Sequence, residues 1–99
     1  MEASGVSRLN AVIHERARLG IMSVLAARST LTFGELKALL DLTDDNLSVH
    51  LRILEQAGYV SIEKKFVDRK PQTSVKLSKK VRLPFEHYVE VLEEIVRKK

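Results

Sequence analysis

Ninety-nine residues with 44% apolar content suffice for one compact domain with a modest core, too small to cover a large apolar helix face alone, so self-association is expected. The lack of cysteine excludes disulfides, thiolate zinc sites and thiol redox chemistry, and no apolar run approaches a membrane span. The net charge is +4, but its placement is uneven: residues 61–82 hold eight Lys/Arg against two Asp/Glu, residues 1–60 six against seven, and residues 83–99 three against four.

From about Val6 to Ala27, the residues Leu9, Val12, Ile13, Ala17, Gly20, Ile21, Val24 and Leu25 recur at helical spacing, with a break near His14 left open. Met1 to Ser7 has neither the basic start nor the apolar centre of a secretion signal, so a cytoplasmic protein is expected. Arg28 to Thr32 reads as a loop, and its last hydroxyl caps a short helix with Phe33, Leu36, Leu39 and Leu40 on one face. Asp41 and Leu42 make a turn. Thr43 then caps a helix over about 43–57, with Asp44 and Asp45 in the first turn, where negative charge meets the positive end of the helix dipole. Leu47, Leu51 and Leu54 fall on one side of it, flanked by His50 and Ala57. At about 100° per residue the opposite side carries Asp45, Val49, Arg52 and Gln56, with Asn46 and Ser48 at its borders.

Gly58 is placed to end that helix in a left-handed conformation, and from Val60 the period changes to two. Val60, Ile62, Lys64 and Phe66 alternate with Tyr59, Ser61, Glu63 and Lys65. After a six-residue tip, Val67 to Gln72, the residues Thr73, Val75 and Leu77 alternate with Ser74 and Lys76, which predicts a two-stranded hairpin over about 60–77. Ser78 is expected to cap a last helix, about 79–97, whose residues Phe85, Tyr88, Val89, Leu92, Ile95 and Val96 form a broad apolar stripe. Pro84 implies either a kink or a start near Leu83. With the N-terminal helix, the stripe is the expected dimer interface.

The strip at 61–82 calls for a polyanionic partner, phosphate backbone being the commonest, against the plain alternative of a solvated surface. The order of short helix, turn, exposed-faced helix, glycine stop and basic hairpin gives a mostly helical α+β fold, a winged helix-turn-helix over residues 1–99. The run Ser48-Val-His-Leu-Arg-Ile-Leu-Glu-Gln-Ala-Gly-Tyr-Val60 resembles ArsR- and MarR-like winged-helix regulators. In register it is most similar to a small stand-alone winged-helix DNA-binding family whose third helix begins with a leucine-threonine-aspartate turn. Arg69-Lys-Pro-Gln-Thr-Ser-Val-Lys-Leu-Ser78 resembles that family's wing, and the likeness runs from about Leu9 to Val96.

The resemblance implies a homodimeric transcriptional regulator, a repressor being the expected sense, that reads double-stranded DNA with its third helix. Asn46, Ser48, Val49 and Arg52 are the expected base readers and Lys65, Arg69, Lys70 and Gln72 the wing contacts. Lys64, Lys76, Lys79, Lys80 and Arg82 add phosphate neutralisation. Relatives often carry arginine or lysine where this chain has Val49 and Ile53, so its reading surface is less basic; Val49 suits a thymine methyl group. Asp45 could accept from a cytosine amino group, but service to the helix terminus is the preferred role. His50, at the edge of the leucine face, is read as packed or phosphate-bonded.

No glycine-rich phosphate loop, nucleophile elbow or catalytic triad is present, so no enzyme activity and no cofactor are expected. No metal site is expected either, since His87 with Glu90, Glu94 or His14 across a dimer is a sparse ligand set. A small-molecule effector is not identified by any residue. The alternative function is a winged helix serving as a protein-interaction module of a larger complex.

Overall fold

A computed structural model describes Leu9 and residues 11–98. The expected helix start at Val6 lies outside the described residues. Residues 11–13 are helical, and the chain then breaks at His14 and Glu15 before α1, Arg16–Arg28. The break is a capping event: the Glu15 carboxylate accepts from the backbone N–H of Ala17 at 2.7 Å and of Arg18 at 3.1 Å. Helix α1 buries Ile21, Met22 and Leu25 and runs through the middle of the domain. Gly20 allows a close approach to the next helix, because a Cβ there would lie 3.2 Å from Leu40 Cδ2.

Thr30–Thr32, expected as part of a loop, forms the short strand β1. Three residues are too few to show a period, and the pairing comes from elsewhere in the chain: Leu31 sits opposite Val75 in antiparallel register. Thr32 caps α2, Phe33–Leu40, in a reciprocal arrangement with Glu35. The Glu35 N–H donates to the Thr32 hydroxyl at 3.1 Å, and the Thr32 N–H donates to the Glu35 carboxylate at 2.8 Å. Of the predicted apolar face of α2, Leu36 is buried and Leu39 is not, being half exposed. Asp41 closes the helix with φ 54°, a left-handed position that aspartate tolerates.

Helix α3, Asp44–Gln56, starts as expected from Thr43, whose hydroxyl accepts from the Asn46 N–H at 3.1 Å. Leu47, Leu51 and Leu54 are buried. Gly58, at φ 82°, ends it: the Gly58 N–H reaches the Glu55 carbonyl and the Tyr59 N–H the Leu54 carbonyl, both at 2.9 Å, which satisfies two last-turn carbonyls and sends the chain into a strand.

Strands β2, Val60–Val67, and β3, Lys70–Leu77, span the predicted hairpin with longer strands and a shorter tip than expected. The tip is two residues, Asp68 and Arg69, both at positive φ, as a type I′ turn requires. Neither residue is glycine, which is why the pattern read as a six-residue loop. The sheet has three antiparallel strands in the order β1-β3-β2, so β2 is an edge. Ser78 stands at the N-terminus of the last helix, α4, Lys79–Arg97, but its side chain does not cap it. Its hydroxyl instead donates to the Gly58 carbonyl at 2.7 Å, and its N–H donates to the Tyr59 carbonyl at 2.9 Å, closing the base of the hairpin. Since α4 begins at Lys79, Pro84 lies inside it and has no N–H to offer the Lys80 carbonyl.

The core joins all these elements: Leu9 and Ile13 before the break, the α1 and α3 leucine and isoleucine faces, Leu31, Leu36, Val60, Val75 and Leu77, and Val81 and Phe85 of α4. Among the described residues no polar or charged side chain is buried.

Candidate nucleic-acid interface

Burying the three leucines of α3 forces its other side outward. Asp45, Asn46, Ser48, Val49, Arg52 and Gln56 are all exposed, Val49 at 45%, whereas Ile53 is half-buried. The four expected base readers therefore sit on open surface. Asp44 is held in an ion pair with Lys37 of α2 at 2.8 Å, which ties the turn between the two helices. Asp45 lies in the first turn of α3, consistent with a role at the helix terminus.

Helix α3 and the hairpin face each other across a groove of about 520 Å³, lined by Ser48, Leu51, Arg52 and Glu55 from α3, Ile62, Lys64 and Thr73 from the hairpin, and Phe33. Arg52 and Lys64 line it together, from the helix and from the hairpin. Sequence reasoning did not single out Glu55 or Thr73 for the groove; helical spacing from Ser48 and Arg52 and register opposite Lys64 were the signals that could have found them. Glu55 places one negative charge among the cations of the groove.

Strand alternation sorts the expected wing contacts. Lys65 pairs with Gln72 and Val67 with Lys70 on the face opposite Ile62 and Lys64, while Arg69 stands at the tip. Lys65, Arg69 and Lys70 are exposed and Gln72 is half-buried. A cationic hairpin beside a helix with an exposed polar face is a surface shaped for a duplex: a helix fits the major groove and the hairpin reaches the backbone beside it.

His50, on α3 near the leucine face, is mostly covered and meets the break before α1. Arg18 Nη1 lies 3.3 Å from His50 Nδ1, Glu15 Oε1 lies 3.8 Å from it, and Arg18 Nε donates to the Val12 carbonyl. The Arg18 N–H on the Glu15 carboxylate holds this carboxyl below the usual range, helped by the Ala17 N–H and the nearby charges of His50 and Arg18. His50 is thus mostly covered, which fits the packed one of its two expected roles. His87 and Glu90, at 4.0 Å, are an exposed pair on α4, and among the described residues no group of three His, Cys, Asp or Glu side chains could hold a metal ion. No described helix is long and apolar enough to cross a membrane.

Residues 17–96 match the model of a family described as a winged helix DNA-binding domain. The chain belongs to that family. An uncharacterized protein of Methanocaldococcus jannaschii is 32% identical over 78 residues, covering 79% of this chain and 85% of its own. A transcriptional regulator homologue from Pyrococcus horikoshii has a solved structure that superposes with a TM-score of 0.83 at 29% identity, covering 99% of this chain and 97% of that one. A candidate MarR-family regulator from Enterococcus faecalis shares the fold, with a TM-score of 0.80 at 22% identity over 99% of this chain and 87% of that one. This winged-helix domain accordingly binds DNA and belongs with transcription regulators rather than enzymes.

Of the stripe expected at a dimer interface, Phe85 is buried within the single chain, Tyr88 and Val89 are partly covered by the core, and Leu92, Ile95 and Val96 are 36%, 60% and 70% exposed. The Phe85 and Tyr88 rings stack with centroids 6.3 Å apart.

Proposed function

We propose that this winged-helix domain is a homodimeric, sequence-specific repressor that reads a two-fold operator with a pair of α3 helices. The observation that carries the reading is the shared groove: the exposed face of α3 and the basic hairpin border one depression, so a single duplex engages both. Asn46, Ser48, Val49 and Arg52 face base edges, with Val49 suited to a thymine methyl group, and Lys65, Arg69, Lys70 and Gln72 grip flanking backbone. Two copies joined through the exposed end of α4 put two such helices in successive major grooves about 34 Å apart, and the bound dimer excludes polymerase. A cytoplasmic location follows from this role.

Selection of bound sequences from a random duplex pool tests the proposal. An approximate palindrome should emerge. Affinity should fall steeply with salt; Arg69→Ala with Lys70→Ala should flatten that dependence by roughly two counterions, while Asn46→Ala or Arg52→Ala should change the selected bases. No enrichment and no salt dependence would favour a protein-interaction module instead.

A further inference from the structure

Phe66 is 75% exposed, and its neighbour Val67 is 39% exposed. It lies on the edge strand β2, opposite Pro71, which is exposed too. On the same hairpin face Val60 is buried and Ile62 half-buried; Lys64 follows, and Phe66 stands about 13 Å beyond Ile62 at the usual rise per strand residue. The ring has therefore left the core of its own chain. An apolar edge is ordinarily a liability for strand pairing between copies. Here Lys64, Lys65, Arg69 and Lys70 outnumber Asp68 and Glu63 around the tip, so a second copy would meet it with net like charge, and the fitting partner is one with an anionic rim and an apolar interior.

The minor groove of duplex DNA has that construction: phosphates line its edges, while sugars and stacked bases form its walls and floor. We infer that Phe66, backed by Pro71, is an apolar DNA contact that enters the minor groove beside each half-site and partly opens one base step while the surrounding cations hold the phosphates. The face argues for this placement, because Phe66 shares a side of the hairpin with Ile62 and Lys64, which line the groove bordered by α3. A duplex seated on α3 runs along that side. The inference rests on the operator-reading mode proposed above and adds a second source of selectivity: pyrimidine–purine steps unstack most readily, so sequence is read there as deformability with no hydrogen bond to a base.

The test repeats the selection with the unaltered protein, Phe66→Thr and Phe66→Leu. Threonine keeps the strand preference of the site and removes the ring, and leucine keeps an apolar wedge. For Phe66→Thr, affinity for the selected duplex should drop about tenfold at every salt concentration with an unchanged salt slope, because apolar contact and no charge is lost. The unaltered protein and Phe66→Leu should enrich a TA or CA/TG step at a fixed distance from each half-site; Phe66→Thr should lose that step and retain the half-site bases. Equal affinity and the same flanking step in Phe66→Thr would overturn the inference, as would a smaller sedimenting species, which would make the patch a contact between copies. Absence of salt-dependent duplex binding by the unaltered protein is a different result, removing the DNA-binding function and this contact with it.

Discussion

Glu15 shows how one side chain serves both local structure and tertiary connection. Its carboxylate caps α1 through the Ala17 and Arg18 N–H groups and lies beside His50 of α3, so it fixes where the N-terminal helical segment stops and how it sits against the reading helix. Its pKa is lowered in the folded chain, first by the Arg18 N–H. A depressed carboxyl pKa stabilises the fold above the unfolded value, about 4.3, and the contribution disappears as pH falls through the folded value. Loss of the cap in Glu15→Ala should cost at most about 1 kcal/mol at neutral pH, since the carboxylate is 43% exposed and its charge is screened by solvent. Denaturation of both proteins across a pH series should show the gap narrowing below pH 4; a gap that stays constant would mean the charge contributes nothing. The sequence permitted a break near His14, but not this cap, since a glutamate among charged residues gives no cap signal of its own.

At the level of elements, legibility followed periodicity and local chemistry. Helix α3 was readable because Thr43, two aspartates, three leucines at helical spacing and Gly58 all agree. Strand β1 was hidden because its evidence lies forty-odd residues away, in Val75 and its neighbours. The hairpin tip was misjudged for a different reason. A type I′ turn favours glycine or asparagine, and Arg69 adopts φ 66° without either advantage. For an ordinary L-residue that conformation costs about 1–2 kcal/mol, against roughly 0.5–1 kcal/mol of extra chain entropy lost by glycine. Arg69→Gly should thus tighten the hairpin by on the order of 0.5 kcal/mol while removing a cation from the tip. Slower amide exchange at Val67 and Lys70 together with weaker, less salt-dependent duplex binding is the expected pair of results. If exchange is unchanged or faster, Arg69 holds the turn by contacts of its own and the strain argument fails.

For the whole molecule, the exposed residues of α3 could be named from the sequence because a helix has one buried face, and the three leucines fix which it is. The hairpin was harder, since placing Lys65, Arg69, Lys70 and Gln72 required knowing where the strands turn and which face borders α3, and Lys65, Lys70 and Gln72 fall on the other face. The radius of gyration, 14.2 Å, exceeds the roughly 13 Å of a compact domain of this length, as expected when hairpin and terminal helix project from the core. Along α4 the burial fades: Val81 and Phe85 belong to the core, and by Ile95 and Val96 the apolar side is open to solvent. In the proposed dimer the same stripe of a second copy covers this exposed one, around a two-fold axis that also relates the two α3 helices. Ile95→Asp tests this without threatening the fold, because the side chain is 60% exposed in one chain and the charge stays hydrated there. The variant should keep the helical content of the parent, sediment as a monomer where the parent is a dimer, and lose affinity for the palindrome far more than for a single half-site. A variant that remains dimeric with full palindrome affinity would move the interface away from α4, to surfaces such as the N-terminal helical segment.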